Sequence, residues 1–389
     1  APRFAFLVIC IAWFSLGGSR AAVFDVTKFG AVGNGRTNDS PAFLRAWNAA
    51  CGYTRGGTQI IWVPKGKTFF LNPLAFQGPC KSRIIQVQIL GSLVAPSQKN
   101  QWSGCQSNSW IFFQGVKNLN VNGNGLIDGK GQSWWQGGSP KAAAVTFEGC
   151  NGLQLRGLLI QNSPRNHISI DGCNGAQISG LTLYSPGDSP NTDGIDMAHS
   201  THVSITNSNF HCGDDCIAIN SGCSDVNITG VSCGPGHGIS VGSLGKDGDF
   251  AQVDSIRVNY CNFTNTLTGV RVKTWPGGTG FAKNIFFDHI FINAAYHPII
   301  IDQHYCNGAS FCPEKGKAVQ VSNVFFTNVQ GTSAGPEAIK LDCSSDVPCQ
   351  NIQLQNVKLT SSTPGKSKVY GTCHSAMGRF GSIPQVTCR

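Results

Sequence analysis

Between Ser189 and Ser243 the chain repeats one short pattern of polar and apolar positions three times. The segments are Asn191-Thr192-Asp193-Gly194-Ile195-Asp196-Met197, Gly213-Asp214-Asp215-Cys216-Ile217-Ala218-Ile219 and Gly234-Pro235-Gly236-His237-Gly238-Ile239-Ser240-Val241. In each, a polar residue is followed two places on by an aliphatic one, and two places further by another. Residues two apart share one face of a strand. Each segment therefore predicts a short strand with Ile195 and Met197, Ile217 and Ile219, or Ile239 and Val241 turned inward. The repeat is 22 residues from Asp193 to Asp215 and again to His237. A fixed period in that range predicts a solenoid, in which residues of one column lie ~4.8 Å apart on successive coils.

A second marker, polar residues before an aliphatic-x-aliphatic triplet, recurs at Leu119, Leu153, Ala176, Val203, Val226, Ile256, Ile285, Val324 and Ile352. Its central steps are 23, 27, 23, 30 and 29 residues, the length of one β-helix coil, with the irregularity assigned to outlying loops. Leucine-rich repeats would show Leu at fixed places, and propeller blades would be longer. The expected fold is all-β: a right-handed parallel β-helix. One helix is predicted over Asn38–Cys51, with Ser40 as N-cap, Pro41 first in the helix and Phe43, Leu44, Trp47 and Cys51 on one face. It would cap the first coil. Val23–Phe29, Ile60–Val63 and Phe69–Leu71 are expected strands. The tail from Lys366 to Arg389 is expected to form a small disulfide-tied cap.

Composition agrees with turn-dense β structure: 48 Gly and only 13% charged residues in 389. The formal charge of +9 is spread along the chain with no basic run. This argues against a nucleic-acid or membrane partner and favours an acidic substrate. Seventeen Cys point to an oxidising compartment. Residues 1–21, with Arg3, an apolar run from Phe4 to Leu16 and Ser19-Arg20-Ala21, read as a secretory signal peptide. Residues 22–389 then form a single catalytic domain. The triplets at Asn38, Asn227 and Asn262 are compatible with secretion. Cys150 and Cys173 fall at one place in successive coils and fit either a disulfide or two stacked buried thiols. Asn residues at stacked turns fit side-chain ladders.

Alternation carries chemistry to one outer face. Asp193, Asp215 and His237 share a column, and Asp214 stands beside Asp215. The next coil reads Thr268-Gly269-Val270-Arg271-Val272-Lys273, so Arg271 and Lys273 point the same way as the carboxylates. Taken singly, an Asp-Asp pair suits a solvated turn or a Ca²⁺ site, and a lone His suits structure. Converging, clustered carboxylates should leave one group protonated beside an ionised one, which glycosidic cleavage requires. The two cations suit a sugar carboxylate.

Asn191-Thr192-Asp193, Gly213-Asp214-Asp215, Gly236-His237-Gly238 and Arg271-Val272-Lys273, in this order, resemble the four signatures of the polygalacturonases, glycoside hydrolases of family 28. Gly125-Leu126-Ile127-Asp128-Gly129 and Ile300-Ile301-Asp302-Gln303 extend the resemblance, which runs from Phe24 through the tail. Gly213 before the Asp pair, where fungal members usually have Gln, resembles the plant branch. The resemblance implies inverting hydrolysis of α-1,4-linked galacturonic acid in pectin, by a secreted, extracellular, monomeric cell-wall enzyme needing no cofactor or metal. It implies Asp214 as general acid, Asp193 and Asp215 as activators of water, and His237 as support for the acid. Asn191, Arg271, Lys273 and Tyr305 would bind substrate. Disulfides Cys216–Cys233, Cys343–Cys349 and Cys373–Cys388 are likewise implied, with Cys212 and Cys223 left unpaired. Internal cleavage is expected ahead of cleavage from the chain end. A Ca²⁺-dependent pectate lyase is the rival enzyme, though Asn-Thr-Asp and Gly-His-Gly have no place in its chemistry. An inactive pectin-binding wall protein is the rival of another class, and the filled catalytic positions argue against it.

Overall fold

Buried and solvent-facing side chains alternate along the strands, as in Thr58–Val63 and Leu119–Gly123. One stripe per strand must therefore be covered, and stacking coil on coil covers it. In the computed structural model, residues 21–102, 109–136, 142–306, 312–363, 365 and 368–388 are described. Their strands form two sheets, of 21 and 12 strands, with parallel pairing between successive coils. The fold is a parallel β-helix. In the 12-stranded sheet Ile195, Ile217, Ile239, Val270, Ile299 and Ile339 stand in register, all fully buried. Aromatic rings stack in the same way: Phe76, Phe113 and Phe147 have successive centroids 4.9 and 5.3 Å apart, close to the coil spacing.

The expected ladders form at the corners. Asn284 Nδ2 donates to Asp254, Asn323 to Asn284 and Asn351 to Asn323, at 2.8 to 3.0 Å. All three Asn have φ between 52° and 56°, the left-handed region that Asn tolerates better than most residues.

The helix spans Ser40–Cys51 and covers the first coil with Ala42, Phe43, Ala46, Trp47 and Ala50. Its N-cap is Asp39, not Ser40. The Asp39 carboxylate turns back to accept the Val32 and Gly33 N–H groups, and the buried Ser40 hydroxyl donates to the Asn72 carbonyl. The first strand also ends early, at Asp25. That side chain accepts the Thr27 N–H and starts a 3₁₀ turn over Val26–Phe29. The tail is a last coil rather than a separate cap: Tyr370–His374, Ala376–Ile383 and Val386–Cys388 pair onto strands of the stack.

Disulfides join Cys216–Cys233, Cys343–Cys349 and Cys373–Cys388, and also Cys51–Cys80 and Cys306–Cys312, which spacing did not suggest. Cys150 and Cys173 are stacked buried thiols, and Cys212 and Cys223 are unpaired. The expected signal peptide lies, except for Ala21, outside the described residues. No helix among the described residues is long and apolar enough to cross a membrane.

Candidate active site

Four consecutive coils build the site on the outer face of the 12-stranded sheet. Asp193 precedes the strand Ile195–Ala198, Asp214 and Asp215 precede Ile217–Ile219, and His237 precedes Ile239–Leu244. Arg271 and Lys273 lie within Thr268–Thr274. The Asp turns are held together by Thr192, whose hydroxyl accepts the Gly213 N–H at 2.9 Å and donates to the Ser189 carbonyl. Gly213 is required there, because a Cβ would lie 1.9 Å from the Ser189 carbonyl oxygen. Beneath, the buried His167 ring bonds the Asp193 carbonyl through Nδ1 and Ser185 through Nε2.

Asp214 is half-buried. Its Oδ1 accepts the Asp215 N–H and meets His237 Nδ1 at 2.9 Å, and its Oδ2 accepts from the exposed Asn191 amide at 3.3 Å. Asp215 is buried. Its Oδ1 accepts Ser240 Oγ at 2.9 Å and Arg271 Nη2 at 2.7 Å, and its Oδ2 accepts Lys273 Nζ at 2.7 Å. Arg271 Nε also donates to Ser240 Oγ, at 3.0 Å. Arg271 and Lys273 do point outward, as alternation predicts. Each is already paired with a protein carboxylate, which sequence alone did not suggest. Tyr305 closes this end: Lys273 Nζ lies 5.2 Å from its ring centroid, and Trp275 meets it edge-on at 5.4 Å.

The proton expected in the cluster falls on its Asp193 side. Burial pushes Asp193 well above the usual carboxylate range, and the charges of Asp196, Asp214 and Asp215 add to this. Burial likewise pushes Asp196 up to about 6. Asp214 is different. Burial raises it, but the His237 hydrogen bond and charge, with the Lys273 charge, bring it below the usual range.

Asp196 and Ser240 were not singled out in the sequence. Alternation was signal enough, since Asp196 lies between inward Ile195 and Met197, and Ser240 between inward Ile239 and Val241. Both belong to the outward column that contains Arg271. Ligand atoms of Asp214, Asp215 and His237 approach one another closely enough for a metal, as do those of Asp302, His304 and Asp342. In the first group Asp215 is already neutralised by two cations, which leaves a poor donor set for Ca²⁺.

Residues 53–377 match the profile of glycosyl hydrolases family 28. The chain belongs to this family. It is therefore a glycoside hydrolase, and the paired carboxyl groups are its natural chemistry. A probable polygalacturonase of Arabidopsis thaliana is 46% identical over 368 residues, covering 94% of this chain and 80% of the relative. A polygalacturonase of Malus domestica is 42% identical, covering 87% of this chain and 75% of that protein. Among solved structures, the endo-xylogalacturonan hydrolase of Aspergillus tubingensis superposes with a TM-score of 0.80 at 25% identity, covering 95% of this chain and 99% of that one. The Erwinia carotovora polygalacturonase, at 20% identity and a TM-score of 0.71, covering 90% of this chain and 96% of that one, shares the fold.

Proposed function

We propose that this family 28 chain is a secreted, monomeric polygalacturonase that hydrolyses α-1,4 bonds between galacturonic acid units of pectin, with internal cleavage and inversion. The observation that carries this is the carboxyl cluster. Asp214 is half-buried and meets His237 Nδ1 at 2.9 Å, while Asp215 is fixed by Ser240, Arg271 and Lys273. In the free enzyme burial raises the Asp214 pKa, but the His237 hydrogen bond and charge, with the Lys273 charge, hold it below the usual carboxylate range. A sugar chain settling over the pair expels water. That disfavours the charged carboxylate and raises the Asp214 pKa, so that in the complex Asp214 holds a proton and delivers it to the glycosidic oxygen. Asp193 and Asp215 position the attacking water, and Asp215, the carboxylate paired with the two cations, accepts that water's proton. No protein nucleophile is then required, and the anomeric centre inverts.

A second reading places the acid on Asp193, whose raised pKa favours it. The two readings differ in which Asn variant loses turnover on a substrate with a good leaving group, because such a substrate needs no acid. Asp214→Asn should be rescued by it, and Asp193→Asn should not. The reverse result would move the acid to Asp193. Sizing early products from polygalacturonate tests internal cleavage, and proton NMR of the first-formed product tests inversion. Retained configuration would overturn the mechanism.

A further inference from the structure

The three Asn-x-Ser/Thr triplets stand in different surroundings. Asn38 Oδ1 accepts the Ser40 N–H at 3.1 Å, and the Ser40 hydroxyl is buried on the Asn72 carbonyl. Asn227 is half-buried, donates to Asp225 at 3.4 Å and is flanked across the coils by Ser204 and Arg257. Asn262 is exposed on the strand Phe250–Thr264. Its backbone N–H is used by the Val231 carbonyl, and its side-chain amide faces solvent.

What lies beside Asn262 sets it apart. Register places Phe291 next to it on the following coil, and Gln330 on the coil after that. Phe291 is 43% exposed, because it points outward between the buried Ile290 and Ile292. Asn262, Thr264, Phe291, Asn293 and Gln330 line an open groove of about 400 Å³ with Gly331. Gly331 has φ +140°, and a Cβ there would sit 1.8 Å from the Ile292 carbonyl oxygen, so this wall carries no side chain. The groove thus has one aromatic wall, two amides and a bare backbone, with an acceptor Asn in its lining. A pyranose ring has an apolar C–H face and polar edges. Phe291 would cover the first, and the amides of Asn293 and Gln330 would meet the second.

We infer that Asn262 carries an N-linked glycan whose first N-acetylglucosamine is seated in this groove against Phe291. The strand that bears it belongs to the 21-stranded sheet, whereas the catalytic carboxyl groups border the 12-stranded one. The glycan therefore leaves the cleft open. The inference rests on passage through a glycosylating compartment, not on the choice of polysaccharide.

The test uses the full chain behind a host secretion leader in a eukaryotic cell, with the protein recovered from the medium. Release by peptide N-glycosidase in heavy-oxygen water should label position 262, and Thr264→Ala should remove that label and the mass of one glycan. An endoglycosidase that leaves one N-acetylglucosamine should preserve Tm, whereas complete removal should lower it. Phe291→Ala should abolish that difference, with turnover unchanged in every form. An unlabelled Asn262 in the secreted protein overturns the site. A Tm difference that is absent in the parent, or that survives Phe291→Ala, overturns the seat. Each outcome is read whether or not the protein cleaves galacturonan.

Discussion

Asp215 is a buried carboxylate gripped by two cations, and this changes what the cations are expected to do. Lys273 is only 7% exposed, so removing its ammonium leaves a buried charge short of its partner, at a cost of about 3–5 kcal/mol. Lys273→Ala should therefore lower kcat and Tm together, rather than simply raise KM. Arg271→Lys keeps the charge but cannot reach both Ser240 Oγ and Asp215 Oδ1, and should lose about 10-fold or more in kcat/KM. If the cations act by fixing Asp215, both losses persist on a fully methyl-esterified substrate. If they grip a substrate carboxylate, the losses shrink there. Kinetics on the two substrates decides. Asp214→Asn preserves shape but cannot donate the proton, so kcat should fall by about 10²- to 10⁴-fold with the circular dichroism spectrum intact. Near-parental turnover would remove Asp214 from the acid role.

At the level of elements, the coils are held in register by more than apolar stripes. Asn323 links Asn284 to Asn351 and sits at φ 53°, so Asn323→Ala loses two hydrogen bonds and places Ala in the left-handed region. The expected cost is about 2–3 kcal/mol, read as a lower midpoint in urea with kcat/KM unchanged. A neutral result would make the ladder decorative. The strands themselves were legible in the sequence because the two-residue period is local and needs only an aliphatic residue on each inward position. The helix cap was not. Ser40, Asp39 and Asn38 all offer capping side chains, and the loop at Val32 and Gly33, which claims Asp39, is six or seven residues away.

Over the whole molecule, the raised pKa values of the half-buried acids Asp193 and Asp196 predict a pH dependence of stability. The folded pKa of Asp196 is raised to about 6 from an ordinary 3.8. The folded state therefore binds more protons than the unfolded chain between those values. The stability from this group is full below about pH 4 and lost as pH rises through about 6, on the order of 2–3 kcal/mol. Asp193 acts in the same direction. Asp196→Asn should flatten the fall in Tm between pH 4 and 7, and an unchanged slope would show that the Asp196 carboxyl is not desolvated.

Which residues share the outer face follows from the sequence by itself. Side-chain direction alternates strictly along a strand, and a constant period stacks like positions, so Asp193, Asp215, His237, Arg271 and Lys273 had to meet. The family resemblance rested on those same residues. Only the tertiary structure decided how the charges pair. Coulomb energies depend on separation and on how much water remains between groups, and neither is written in a spacing. Lys273 lies two strands from the turn that carries Asp215, and only the folded geometry brings its Nζ to 2.7 Å from Oδ2, where Asp215 is buried and Asp214 only half so. Disulfides obey the same division. Cys51 and Cys80 are 29 residues apart, and only the packing of the helix on the first coils brings their Cα atoms to 4.5 Å.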